Sequence, residues 1–225
     1  MLSDLKKQLI SNKKFIADLI QGFVGEDKTL MFCYFSGSLA YGTFAENSDI
    51  DVTAFIDGLD FYIHTNMGDY DVFLLPKSWV TKRQRVDDDV KEYVKLFIDD
   101  VFSIDKNLIY ENPKYHEDLE KLRNYDITKS LKKYLDNFYE YYMYYFVDNE
   151  TPVKKFYHVI RVRGQLDHFL KTGVFNLEMD EKYRKEMLEF KQNIENQIGL
   201  QIYASKIGDY LEDIRKVRRN YRWKQ

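Results

Sequence analysis

The sequence predicts an α/β (α+β) N-terminal half followed by an all-α C-terminal half, and three observations carry that reading. Short apolar runs closed by turn residues alternate with helical spacing up to about residue 110. Beyond that point nearly every segment has helical spacing. The chain has 225 residues and three prolines and is 44% hydrophobic and 32% charged, enough for one large domain or two small ones with a sizeable core. This apolar fraction and a net charge of only −3 exclude a disordered chain.

Asp4 to Phe23 carries Leu5, Leu9, Ile10, Phe15, Ile16, Leu19 and Ile20 at helical spacing, with Ser3 as N-cap and Gly25 as the stop. Leu30 to Phe35 (LMFCYF) reads as a buried strand ended by Ser36, Gly37 and Ser38, and Asp49 to Ile56 as a second strand. Phe61 to His64 and Asp69 to Leu75 flank Asn66, Met67 and Gly68 as a hairpin ended by Pro76. Ser78 to Phe97 reads as a helix, and Asp105 to Asn112 as a loop. The second half predicts helices over Thr128 to Phe146 and Pro152 to Lys171, the latter with Pro152 at its first position and Thr151 as cap. Gly173 stops that helix. Two more helices follow, Asp180 to Ile198 and Ser205 to Trp223, separated by Gly199. No internal repeat or low-complexity linker interrupts them.

Composition narrows the class. The 19 Tyr and 16 Phe, with few Ala, fit an AT-rich genome such as that of a phage or a low-GC bacterium. The aromatic block Phe138 to Phe146 covers every helix face, which favours packing between helices over base stacking. No apolar run approaches the roughly 20 residues that span a bilayer, so no membrane partner is expected. Met1 to Ile10 mixes Asp4 with Lys6 and Lys7 and lacks the apolar stretch of a secretory signal. The single cysteine, Cys33, excludes a disulfide framework and a multi-cysteine zinc site; it reads as a small core hydrophobe, and a cytoplasmic location is expected. His64 and His116 stand isolated and read as surface residues. Asp87, Asp88 and Asp89 are consecutive on an expected helix, point in different directions and read as a solvated cluster. The basic run Arg215 to Lys224 suits either a helix C-terminus or a polyanion such as RNA.

The stretch Gly37 to Val52, GSLAYGTFAENSDIDV, carries the chemistry. Gly37 and Ser38 follow a strand directly, Gly42 comes shortly after, and Ser48, Asp49, Ile50 and Asp51 open the next strand. Asp49 and Asp51 are two apart, so both carboxylates face one side of that strand while Ile50 and Val52 face a core. Two neighbouring carboxylates repel, and a divalent cation removes the penalty. A glycine lets backbone approach a phosphate, and backbone N–H groups with the Ser38 hydroxyl can hold its oxygens. A phosphate cradle followed by an aspartate pair is a nucleotide-plus-Mg²⁺ arrangement. It is not a P-loop, because no Gly-Lys-Ser/Thr follows.

Gly-Ser, ten residues, then Asp-Ile-Asp-Val resembles the signature of the DNA polymerase β superfamily of nucleotidyltransferases. The fuller GSLAYGTFAENSDID looks most like a bacterial and phage branch of predicted nucleotidyltransferases, and is less closely similar to aminoglycoside nucleotidyltransferases. The resemblance implies a catalytic domain over residues 1–110 with a mixed, mostly antiparallel sheet, and a helical domain over 111–225. It implies a third carboxylate on a following strand. Asp69 and Asp71 share one strand face; Asp71, followed by Val72 and Phe73 and deeper in the strand, is favoured. The run Lys155-Phe-Tyr-His158-Val-Ile-Arg161, with Gly173 after the helix, is similar to the Lys-x-x-x-His-x-x-Arg helix of that branch. On a wheel Lys154, His158, Arg161, Gln165 and His168 form one polar stripe, which reads as a face turned to a cleft or as a solvated face.

The resemblance therefore implies transfer of a nucleoside monophosphate, AMP by default, from an NTP such as ATP to an acceptor hydroxyl, with release of pyrophosphate. Two Mg²⁺ ions (or Mn²⁺) would be held by Asp49, Asp51 and Asp71. Gly37, Ser38, Tyr41, Gly42, Ser48, His158 and Arg161 are the expected nucleotide-binding residues, with Tyr41 the first aromatic ring expected to line the cleft. RNA or tRNA, a protein hydroxyl, or a small molecule such as an aminoglycoside are the acceptor classes. A near-neutral charge argues against a processive polymerase. The rivals are a non-catalytic nucleotide sensor and an antitoxin-like interaction protein.

Overall fold

Asn12 divides what the spacing reads as one N-terminal helix into two. In the computed structural model, which describes residues 2–46, 48–81, 104–124, 128–148, 156–177, 179–194 and 199–223, α1 (Asp4–Ser11) stops at Asn12 and α2 (Lys13–Val24) starts there. The Asn12 side chain accepts a hydrogen bond from the Phe15 amide, and Ser3 caps α1 through the Lys6 amide. Each satisfies a donor that a helix start leaves without an intrahelical partner.

Five strands form one mixed sheet: β1 (Thr29–Phe35), β2 (Ile50–Asp57), β3 (Ile63–Met67), β4 (Tyr70–Pro76) and β5 (Leu108–Glu111), in the order β3-β4-β2-β1-β5. β2 and β4 run parallel; the other pairs are antiparallel. The expected hairpin is present, with Gly68 and Asp69 as its turn. β5 lies where the sequence reads as a loop. Four residues are too few for a visible period, and β5 exists because the exposed edge of β1 offers it backbone partners.

β1 reads as a continuous apolar run because it is buried on both faces. On one face Ile16, Ile20 and Val24 of α2 pack with Leu30, Cys33, Val52, Ala54, Val72 and Leu74. On the other, Phe32, Tyr34, Phe55 and Leu75 pack with Val80 of α4 (Ser78–Thr81) and with Tyr115, Leu119 and Leu122. These last three come from a 3₁₀ turn (Pro113–Tyr115) and from the helix His116–Arg123, here α6 after α3 (Gly37–Ala40) and α5 (Ile104–Asn107). The first compact unit accordingly runs Met1–Tyr125, not 1–110. The residues after 110 supply the cover for the second sheet face. The helix expected over Ser78 to Phe97 is described only to Thr81; its remainder, with Asp87, Asp88 and Asp89, lies outside the described residues.

The second unit, Asp126–Gln225, contains α7 (Thr128–Asp148), α8 (Tyr157–Thr172), α9 (Glu181–Ile194) and α10 (Gly199–Asn220). Gly199 opens α10 rather than separating two helices. Pro152, Thr151 and Lys154 lie outside the described residues. Tyr134, Phe138 and Tyr142 of α7 are buried, with the last two rings 4.4 Å apart; of the other described rings of the aromatic block, Tyr139 and Tyr141 are half-buried and Tyr144 is exposed. α8 and α9 approach at Gly164, where an added Cβ would lie 2.9 Å from Cβ and Cγ of Tyr183. Among the described residues no helix is long and apolar enough to cross a membrane.

The C-terminal end of β2 is anchored by polar contacts. Asp57 accepts from the Tyr115 hydroxyl at 2.8 Å and from Lys77 at 3.1 Å, and Lys77 and Lys114 each lie about 5 Å from the centre of the Tyr115 ring. The Tyr115 hydrogen bond and then Lys77 hold the Asp57 carboxyl below the usual carboxylate range, against the opposing effect of its burial.

Three stability outcomes follow from this packing and from the Asp57 contacts. Gly164→Ala should cost about 1–2 kcal/mol in chemical denaturation, overpacking outweighing a helix-propensity gain of roughly 1 kcal/mol. Gly22→Ala, in α2 with nothing within 4 Å of the added carbon, should gain about 0.5–1 kcal/mol instead. Because the folded Asp57 carboxyl titrates below its unfolded value, its contribution is complete above the unfolded pKa and is lost as pH falls through the folded one. Asp57→Asn should therefore flatten the acid limb of a stability-versus-pH curve while changing its slope little above pH 6.

Candidate active site

Four strand ends meet at one end of the sheet. β1 is antiparallel to β2, so the chain leaving Phe35 arrives where β2 begins, and the Ser36 amide donates to the Asp51 carbonyl at 2.9 Å. β4 is parallel to β2 and also begins there, with Asp71 in register with Asp51. β3 ends there, with Asn66 opposite Asp71. Residues in register on neighbouring strands point to the same face. Asp51 and Asp71 thus share a face with Thr53, Phe55, Phe73 and Leu75, while Ile50, Val52, Tyr70 and Val72 point into the α2 core.

Gly37 is pressed against this edge. Its φ is 56°, in the left-handed region, and a Cβ there would overlap the Asp51 carboxylate. Behind it, the Thr53 hydroxyl donates to the Ser36 hydroxyl at 3.0 Å in a buried bond. Sequence reading passes over Ser36 and Thr53, since a Ser and a Thr beside strands carry no signal until pairing brings them together. Ser38 is buried and its hydroxyl makes no hydrogen bond among the described residues, a condition costing about 1–3 kcal/mol unless a ligand supplies a partner.

The segment between cradle and carboxylates is tied down locally. The Thr43 amide donates to the Ser38 carbonyl at 2.9 Å. Tyr41 is buried and Gly42 exposed. The Ser48 hydroxyl accepts from the Ala45 amide at 3.0 Å, so it closes the turn before Asp49. α1 reaches over: Lys6 donates to the Ser48 carbonyl and lies 5.0 Å from the centre of the Phe44 ring, and the Ser3 amide donates to Glu46 at 2.7 Å. The Ser3 hydrogen bonds hold the Glu46 carboxyl low. Asp49 itself precedes β2 and is exposed.

Of the two candidates for a third carboxylate, Asp69 is in the exposed hairpin turn and Asp71 in the strand beside Asp51. His64, read from sequence as isolated, is not: its Nε2 lies 2.6 Å from Asp71 Oδ1, and its ring stacks on Phe73 at 4.5 Å and 10°. The signal was the hairpin itself, since alternation from Gly68 puts His64 on the face of Asp71. His116 likewise contacts Glu111 at 2.6 Å on the surface. Among the described residues no group of three or more His, Cys, Asp or Glu side chains is gathered to hold a metal ion. The oxygen donors of Asp51 and Asp71 suit a hard cation that takes one or two carboxylates and completes its shell with phosphate and water. The partnerless Ser38 hydroxyl and the Cβ-free approach at Gly37 suit a phosphate.

The helical unit corrects part of the α8 stripe. Arg161 and Gln165 are fully buried; Arg161 donates to Gln165 Oε1 at 3.1 Å, and Gln165 donates to the Asn176 carbonyl at 2.8 Å. Burial drives the neighbouring Tyr142 phenol well up, opposed by the Arg161 charge. Arg161 is thus buried, with Gln165 among its partners, rather than solvated on the helix surface. A wheel cannot tell a polar stripe facing a cleft from one facing a buried hydrogen-bond chain. His158 is half-buried, its ring against Tyr157. Three of the six basic side chains in the C-terminal run are paired, Arg215 with Glu212, Lys216 with Asp213 and Arg218 with Asp136, while Arg219 and Arg222 are exposed. Cys33 lies in the sheet core, where burial pushes its thiol up to about 12.

No model of a known protein family and no curated protein matches this chain.

Gly37→Ala should destabilise the first unit by about 2–4 kcal/mol, from left-handed strain of roughly 1–2 kcal/mol plus overlap with Asp51. Pairing it with Asp51→Gly should recover the overlap and leave the backbone strain, a positive coupling in a double-mutant cycle read by denaturant titration.

Proposed function

We propose that this protein is a Mg²⁺-dependent nucleotidyltransferase that moves a nucleoside monophosphate from an NTP to an acceptor hydroxyl and releases pyrophosphate. One observation carries the reading: the Gly37–Ser38 turn lies directly on Asp51, and Asp51 is in register with Asp71. A phosphate cradle and a carboxylate pair thereby share one sheet edge.

In this reading the Gly37 backbone and the Ser38 hydroxyl bind the β- and γ-phosphates, which orients pyrophosphate as the leaving group. Asp49, Asp51 and Asp71 would hold Mg²⁺, which when bound neutralises phosphate charge and stabilises the attacking and leaving oxygens. The bond from the acceptor oxygen to the α-phosphorus forms as the bond to the β-bridging oxygen breaks. Asp71 would take the acceptor proton on the Oδ2 lone pair that the ion does not use, because Oδ1 is engaged by His64. Arg219 and Arg222, exposed in the basic C-terminal run, keep RNA among the acceptor classes beside a protein hydroxyl and a small molecule.

The test is incubation with each α-labelled NTP, Mg²⁺ and a total cell lysate, followed by separation into RNA, protein and small-molecule fractions. Transfer of label into one fraction, abolished in Asp49→Asn and in Asp51→Asn with the melting temperature retained, is the expected result. Asp71→Asn should abolish transfer and Asp69→Asn should not; the opposite pattern assigns the third carboxylate to Asp69. Full transfer by the Asp49→Asn/Asp51→Asn double variant, or no transfer from any NTP, counts against the enzyme reading.

A further inference from the structure

Asp71 is a ligand and the proton acceptor of the proposed site, and the hairpin places an imidazole on it. Resting on that reading, we propose that His64 is the positioning residue of the site, holding the Asp71 carboxylate in one rotamer with Oδ1 committed and Oδ2 left for the ion. An ionised carboxylate only accepts hydrogen bonds, so the 2.6 Å contact requires the hydrogen on His64 Nε2. The ring cannot swing freely, because it stacks nearly parallel on Phe73, its direct cross-strand partner. From there it reaches diagonally to Asp71, which stands opposite Asn66.

Hairpin register is what makes this contact specific. The two-residue turn at Gly68 and Asp69 fixes Met67 opposite Tyr70 and therefore His64 opposite Phe73. A slip of one residue would send His64 to the apolar face and Ile63 to the carboxylates. The pair is not needed for the core, since His64 is 50% exposed and exposed ion pairs add little to stability. Groups that hydrogen-bond a ligating side chain from behind typically tune metal affinity by about 10–100-fold, and His64 stands in that relation to Asp71.

The test titrates Mn²⁺ into the full chain saturated with α,β-methylene-ATP, reading free Mn²⁺ by electron paramagnetic resonance. His64→Ala should weaken Mn²⁺ binding about ten-fold or more with a near wild-type melting temperature. His64→Gln, whose amide nitrogen can donate at similar reach, should restore most of it. His64→Phe, which keeps the ring stack without the donor, should behave like His64→Ala and serves if the alanine variant does not fold. Wild-type affinity in His64→Ala or His64→Phe, or equal losses in His64→Gln and His64→Ala, overturns the inference. Wild-type affinity in both Asp51→Asn and Asp71→Asn overturns the underlying metal-site reading and this inference with it, whereas loss there with His64→Ala intact overturns only the role of His64.

Discussion

The Asp51 carboxylate occupies the space that a Cβ at position 37 would need, and the candidate site is built around that overlap. It requires glycine at 37, and with it the left-handed turn that ends β1 and starts α3. The turn is pinned from the other side by the Ser36 amide on the Asp51 carbonyl and by Thr53 on Ser36. Ser38 is thereby carried into a buried position, with a hydroxyl that no group among the described residues satisfies. Native structures seldom leave such a group without a partner, and ligand-binding sites are among the places where they do.

The parallel pairing of β2 and β4 is the second constraint. β3 turns the chain back between them, so both strands begin at the same end of the sheet and Asp51 and Asp71 arrive in register. The two ends of β2 then take different roles. Asp57, on the same face as Asp51, is bound by a tyrosine and a lysine and ties the sheet to the cover from residues 113–123. Asp71 is met instead by an imidazole held on Phe73. One end is cross-linked for stability and the other presents carboxylates at an edge.

The helical unit shows how the same chemistry reads differently once buried. Arg161 and Gln165 form a hydrogen-bonded chain ending on the Asn176 carbonyl, which fixes the segment after α8. The C-terminal residues fold back, with Tyr221 and Trp223 against Phe169 and the Trp223 indole donating to the Arg218 carbonyl. The aromatic excess of the composition is spent mainly on such packing.

Local pattern was enough for β1, β2, the hairpin, four of the C-terminal helices and the close sequence spacing of Gly37, Ser38, Asp49 and Asp51, because each depends on period, turn chemistry or neighbours in the chain. It was not enough for the break at Asn12, where a cap competes with a continuous apolar stripe. Nor could it find β5, which is defined by the edge of β1, or the extension of the first unit to Tyr125, which follows from covering the second sheet face. The register that sets Asp71 beside Asp51, the contact of His64 with Asp71 and the burial of Arg161 on Gln165 depend on tertiary structure. The physical reason is common to all three: strand register and helix burial set which side chains meet, and both are fixed by contacts distant in sequence.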